Sequence, residues 1–236
     1  MDRAEELVEI YNEIHEYMKE VMGIENYVSF KNLIDQSKRK DPTISYYADY
    51  LKKIADLRNM IVHNNKIYAV PNDEAFALIK KIQNILISPP RVIPKFEKEV
   101  FTLNSDYYIF NAVKMMKEND YSQIPIVDQN NTIINILTSN CISRWLGSFE
   151  VKKGDEIVIK DTMIKDVLKC REEKNIFKVI DKDTKLPEVI NKFDKVNKTE
   201  KRLAAFLITE TGKKNEKILG IITEWDIPEI YAEIEF

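Results

Sequence analysis

The stretch ILGIITEWD (218–226) decides how the chain is read, because IINILTSNC (133–141) repeats its form. Each is a short apolar run of β character that ends in a threonine, Thr223 or Thr138, and passes into a helix start. The match extends upstream, where QIPIVD (123–128) precedes the first copy and AAFLIT (204–209) precedes the second. Further back, Val113, Met115 and Met116 in one half and Val189, Ile190 and Phe193 in the other recur at helical spacing. Both halves read strand, helix, strand, strand, helix. Internal duplication constrains a fold more than any local feature. Two copies with unequal insertions predict a pseudo-symmetric pair that shares one interface.

At 236 residues the chain suits two modest domains, and 44% hydrophobic with 32% charged residues allow a buried core under a polar surface. Its apolar runs fall far short of the roughly 20 residues of a membrane-spanning helix. The opening MDRAEELVEI is charged and has no apolar signal core. The expectation is a cytoplasmic protein with no membrane partner. Two cysteines, Cys141 and Cys170, and two histidines, His15 and His63, supply neither a disulfide framework nor a metal signature. The five glycines are scattered, so no Rossmann fingerprint or P-loop is present. A net charge of −3 gives no global attraction to nucleic acid.

Residues 1–88 read as four helices. The first carries Leu7, Ile10, Ile14, Met18 and Val21 at three- and four-residue spacing and stops at Gly23. Ser29 starts a short second one, and Asp41 followed by Pro42 opens a third, a favoured cap and first residue. That helix is expected to fray at Asn64 and Asn65. Asn72 begins the fourth, bearing Phe76, Ile79, Ile82 and Leu86. The expected arrangement is a small antiparallel bundle.

Arg58 falls in the middle of the apolar stripe of the third helix, where a guanidinium must find a partner. Asn59 and His63 lie four apart and so share an adjacent face, where the amide orients the imidazole, with Asp56 one turn earlier. This run, LRNMIVH (57–63), resembles the Arg-x4-6-His motif of HEPN domains. The resemblance implies a dimer and, for many such domains, a metal-independent ribonuclease. His63 would be the general acid or base for attack by the ribose 2′-hydroxyl, Arg58 would stabilise the phosphorane-like charge, and Asn59 would position one of them. RNA is the implied partner. A plainer reading stays open: Arg58 pairs with a glutamate, and His63 complements the helix dipole. Arg58 and His63 sit about 140° apart around a helix and do not converge within one chain. Residues 1–88 carry 12 Lys plus Arg against 14 Asp plus Glu, a balance of −2, with a basic spot only at Lys38, Arg39 and Lys40.

Ser88, Pro89, Pro90 and Pro94 predict a stiff extended connection, which puts domains at 1–90, 91–158 and 159–236. Ser105 can cap the helix before QIPIVD. Lys152, Lys153 and Gly154 belong to the joint between the halves, and the second half opens with IKDTMIKDVL (159–168). Thr184 and Pro187 start a helix, and the hairpin TETGKKNEK (209–217) is expected to protrude.

The order of an IPIVD strand followed by GIITxxD over 92–236 resembles the CBS-domain pair known as a Bateman module. The expected fold is α+β, a helical bundle followed by two β-α-β-β-α halves. The resemblance implies a regulatory sensor of an adenine-containing ligand (AMP, ADP, ATP, cyclic di-AMP or S-adenosylmethionine) with no cofactor required. An aspartate accepts hydrogen bonds from both ribose hydroxyls, and a threonine at a helix start bonds phosphate. By position Thr223 and Asp226 carry those roles, and backbone near Phe177, Lys178, Ala204 and Ala205 holds the base. In the first copy Thr138 remains, but Cys141 replaces the aspartate and Asn135 the glycine. One site per chain is the expectation. The competing reading is a non-catalytic sensor or scaffold whose bundle serves dimerisation or partner binding.

Overall fold

Capping side chains set the helix starts at Asp41 and Asn72, whereas Ser29 takes the N-cap position without a side-chain hydrogen bond. Helix α1 (Arg3–Met22) ends at Gly23, whose φ of 67° is the left-handed conformation that glycine adopts without strain. Helix α2 spans Phe30–Ser37. Helix α3 (Pro42–Ile61) starts on Asp41, whose carboxylate accepts from Thr43 N at 2.7 Å and Ile44 N at 3.1 Å. After a two-residue hairpin, β1 (Val62–His63) with β2 (Lys66–Ile67), Asn72 caps α4 (Asp73–Ile87) through Ala75 N at 2.8 Å. The computed structural model describes residues 2–63, 66–67, 70–150, 160–171, 175–198 and 202–234. The expected joint at Lys152, Lys153 and Gly154 and the fraying at Asn64 and Asn65 lie outside them.

The chain falls into two compact units, one of Met1–Arg91, Lys185–Lys192 and Pro228–Phe236, the other of Val92–Thr184 and Phe193–Ile227. The first unit is an α bundle whose core is the predicted apolar stripe, with Leu7, Ile14, Leu33, Ile44, Leu51, Ile82 and Leu86 fully buried. Three contacts tie in its C-terminal members. Lys185 Nζ donates to Asp41 at 3.1 Å, Asn191 Nδ2 to the Pro42 carbonyl at 2.6 Å, and Tyr47 Oη to the Ile234 carbonyl at 2.6 Å.

Asp41 is the hub of this unit, because the Tyr17 hydroxyl also donates to it at 2.9 Å. Burial alone would raise its pKa, yet the Ile44 N–H, the Lys185 charge and the Tyr17 hydroxyl together hold the carboxyl below the ordinary range. Burial and the neighbouring Asp41 charge push the Tyr17 hydroxyl in the other direction, upward.

The second unit contains two three-stranded sheets of one topology. In the first, β3 (Leu103–Asn104) runs parallel to β4 (Gln123–Val127), and β4 antiparallel to β5 (Ile133–Thr138). In the second, β6 (Asn175–Asp181) runs parallel to β7 (Arg202–Thr209), and β7 antiparallel to β8 (Gly220–Thr223). In chain order α6 (Ile109–Glu118) and α7 (Ser139–Leu146) follow the first and last strands of the first copy, as α9 (Leu186–Asn197) and α10 (Ile227–Ile234) follow those of the second, most of α9 and α10 being counted in the first unit. The fold is α+β with the repeated order expected from the duplication. Val127, Ile133 and Ile136 of one copy pack with Ala205, Leu207 and Ile218 of the other. That apolar seam is the shared interface.

The segments leading into each copy are exchanged. Val92 N donates to the Thr184 carbonyl at 2.9 Å and Leu186 N to the Pro90 carbonyl at 2.8 Å, beside the second copy's turn. In the counterpart, Ile164 N donates to the Tyr107 carbonyl at 2.8 Å and Ile109 N to the Thr162 carbonyl at 2.8 Å, beside the first copy's turn. The Pro-rich stretch is therefore not a free extended connection: it forms the short turn α5 (Val92–Lys95), with Val92 fully buried. Likewise α8 (Ile164–Val167), which follows the opening of the expected second half, gives Ile164, Val167 and Leu168 to the first copy's core. Backbone hydrogen bonds and these buried apolar side chains place both segments together, but a short apolar run does not say which copy's core it enters.

Two smaller expectations also change. Tyr108, not Ser105, occupies the N-cap of α6. The 209–217 hairpin does not simply protrude, because the Lys214 carbonyl accepts from Ile133 N at 2.8 Å. Glu216 organises its turn. Bonds first from the Thr211 hydroxyl and then from its N–H hold the Glu216 carboxyl down at about 2.

Candidate functional site

Thr223 ends β8 and starts a 3-10 turn, Glu224–Asp226, before α10. Its N–H and Oγ1 both lie against Asp226 Oδ2, at 2.6 and 2.9 Å, and Trp225 N donates to Oγ1 at 3.3 Å. This reciprocal cap is the plain role open to both residues, and the extra turn lets Pro228 fall in the first turn of α10, where a missing N–H costs nothing. Thr138 repeats the cap in the first copy, accepting from Cys141 N at 3.1 Å. Cys141 is 2% exposed, with its thiol donating to the Val167 carbonyl at 3.4 Å. It is a core residue.

Two clefts, each of about 230 Å3, meet at Ser122, Gln123 and Thr223. The first is bounded by the hydroxyl and amide side chains Thr138, Ser139 and Asn140 of one copy and by Arg202, Ala204 and Trp225 of the other. Equivalent positions on both copies thus face each other, and Gln123 Nε2 donates to the Ala204 carbonyl across the seam at 3.2 Å. The second has an apolar wall of Val100, Phe101, Pro125 and Ile221. A larger cavity of about 660 Å3 lies by Val100, Val127 and Ile218 and contains none of the ligand residues expected from sequence.

A profile of the CBS domain matches residues 96–148 and again 159–233, more than half of the chain. The protein belongs to the CBS-domain family. Among solved structures, the CBS pair of protein MJ0100, in complex with 5′-methylthioadenosine and S-adenosyl-L-methionine, is 19% identical with a TM-score of 0.44, over 61% of this chain and 97% of that one. CBSX2 in complex with AMP is 12% identical with a TM-score of 0.42, over 60% of this chain and 96% of that one. A CBS-domain protein from Kribbella flavida is 13% identical with a TM-score of 0.45, over 58% of this chain and 96% of that one. No curated protein matches the chain.

Within the CBS pair, the expected ligand residues divide. Thr223 and Ala204 line the first cleft. Asp226 stands behind Thr223 as its cap, and Ala205 is 1% exposed inside the seam. Phe177 is half-buried with Lys214 Nζ 5.1 Å from its ring centroid, and Lys178 lies beside it on β6. Sequence reasoning missed Val100, Phe101, Gln123, Arg202 and Trp225. The repeat alignment held the signal for two of them, since Gln123 pairs with Ala204 and Asn140 with Trp225.

On the bundle, Arg58 is half-buried with its guanidinium 5.5 Å from the Tyr11 ring centroid, and Nη1 donates to Asn59 Oδ1 at 3.4 Å. Its buried Nε has no partner among the described residues. Asp56 turns to Lys31. Helix α3 ends at Ile61, because Val62 takes extended dihedrals with its N–H on the Arg58 carbonyl. The helical spacing expected of Asn59 and His63 is therefore absent: His63 stands on β1, and its side chain lies outside the described residues. No helix of the described residues is long and apolar enough to cross a membrane.

Proposed function

We propose that the CBS pair senses an adenine-containing nucleotide and that its occupancy regulates the helical unit. The observation that carries this is the position of Thr223 at the junction of an apolar-walled cleft and a hydroxyl-rich one. A base fits against Val100, Phe101 and Pro125, and the ribose and its 5′ substituent pass Thr223 toward Ser139 and Arg202. Asp226 Oδ1 has no hydrogen bond to any described residue and is the acceptor for a ribose hydroxyl. Regulation requires the ligand to prefer one arrangement of the chain over another, since equal affinity shifts nothing.

A thermal-shift panel of AMP, ADP, ATP, S-adenosylmethionine and cyclic di-AMP tests this. A ligand at one hundred times its Kd adds about 2.7 kcal/mol to stability, a shift of several degrees. Thr223→Val, which keeps the shape and loses the hydroxyl, is expected to abolish it. A panel with no response, or a response untouched by Thr223→Val, removes the reading.

For the helical unit, the unpartnered Arg58 Nε beside the Tyr11 ring supports a site for an incoming anion. The finer reading is a HEPN-type, dimeric, metal-independent ribonuclease with Arg58, Asn59 and His63. RNA incubated with the protein in EDTA is then cleaved, and His63→Ala and Arg58→Ala each lower the rate about a hundredfold or more. The end of α3 at Ile61 favours the competing reading, a sensor whose bundle holds a partner, and an uncleaved RNA with every nucleotide present selects it.

A further inference from the structure

Helix α10 begins where the proposed nucleotide turn ends. Asp226, bonded to Thr223, is followed directly by the eight residues Ile227–Ile234, about 12 Å along the helix axis. The far end is fastened. The last carbonyls of a helix have no partner within it, and that of Ile234 accepts from Tyr47 Oη at 2.6 Å. Tyr47 and Ile234 are both fully buried. A shift of the helix end therefore either carries Tyr47 with it or leaves a hydroxyl and a carbonyl unpaired away from water, which is unfavourable.

Tyr47 stands in the second turn of α3. The opening of that helix is also held by α9, through Lys185 on Asp41 and Asn191 on the Pro42 carbonyl. Those two contacts fix where α3 starts, and the Tyr47 contact ties its next turn to α10. Arg58 lies eleven residues beyond Tyr47, about three turns, and so on the same face of α3. A helix is stiff over that length, so a displacement at Tyr47 is felt at Arg58.

We propose that α10 is the arm by which the 223–226 turn acts on α3, with Tyr47 as the positioning residue that receives it. This rests on the reading that an adenine nucleotide occupies the CBS pair, and gives the route by which that occupancy reaches the bundle. A nucleotide engaging Thr223 and Asp226 fixes the turn, the turn fixes α10, and the buried bond passes the restraint to α3.

Hydrogen exchange of the full chain tests the route, with each of the five adenine compounds of the thermal-shift panel at saturation. Amides 45–51 of α3 should exchange about fivefold or more slowly with a compound bound, beyond any change in α1 of the same bundle. Tyr47→Phe keeps the ring and removes the donor. It is expected to bind with unchanged affinity and to lose the extra protection. Ser37→Ala is the control for a core that is merely weakened: its hydroxyl is equally buried and bonds the Leu33 carbonyl at 2.6 Å, but lies on α2, off the route. That variant should keep the response. Extra protection that survives Tyr47→Phe, or that is lost equally in Ser37→Ala, overturns the proposal. So does binding with no change in α3 beyond that in α1, and in each of these cases the sensing reading stands. Absence of binding by all five compounds removes both.

Discussion

Gly220→Ala is expected to lower stability by about 3 kcal/mol, at the top of the range for overpacked sites. A Cβ built at Gly220 would lie 2.1 Å from the Phe96 carbonyl oxygen and 3.2 Å from Ile208 Cδ1. The first neighbour is backbone and cannot swing away. It is fixed by the bridge between Glu97 and Gly220 and by Lys98 N donating to the Leu219 carbonyl at 3.1 Å. Gly147→Ala is the control, because its nearest neighbour would be at an ordinary 3.4 Å. Urea unfolding of the two variants measures the difference. A Gly220→Ala protein within about 0.5 kcal/mol of wild type, the scatter of neutral surface changes, would mean that the 96–98 segment does not lie against β8.

Asp41→Ala should cost a similar amount, about 3 kcal/mol, by a different route. Loss of the α3 cap contributes about 1 kcal/mol. The rest, about 2 kcal/mol, comes from the half-buried Tyr17 hydroxyl and the Lys185 ammonium, whose side chain is 32% exposed, losing an acceptor that is itself only 7% exposed. The effect carries a pH signature. The folded carboxyl titrates below its unfolded value of about 3.9, so its contribution is complete above that pH and is lost as pH falls through the folded value. Tyr17 titrates above its unfolded value of about 10, so its share is complete below that pH and fades as pH rises further. The gap between wild type and variant should be flat from pH 5 to about 9 and close in acid. A gap that persists at pH 2.5 would exclude the charge as its source.

The duplication was legible because it rests on local signals: apolar β runs, a threonine cap and helical periodicity, each repeated. The bundle was legible for the same reason, from the Asp41–Pro42 start to the Gly23 stop. The end of α3 was not, since extended dihedrals at Val62 won over a pattern that would have allowed another turn. The sequence places Gly220 in a ligand-like motif, whereas the Phe96 carbonyl is what requires it, a contact more than a hundred residues distant. The ligand site was half legible. Thr223 and Ala204 follow from the motif, but the apolar wall at Val100 and Phe101 comes from a stretch whose sequence says only that it is extended.

The reciprocal crossing of 90–92 and 162–164 has a consequence for how the pair can be taken apart. A cut midway between the copies yields fragments that are each missing an edge and each carrying the other's. Neither piece is a module in its own right, however regular the repeat looks on paper. What evolution doubled in sequence, the folded chain uses only as a whole.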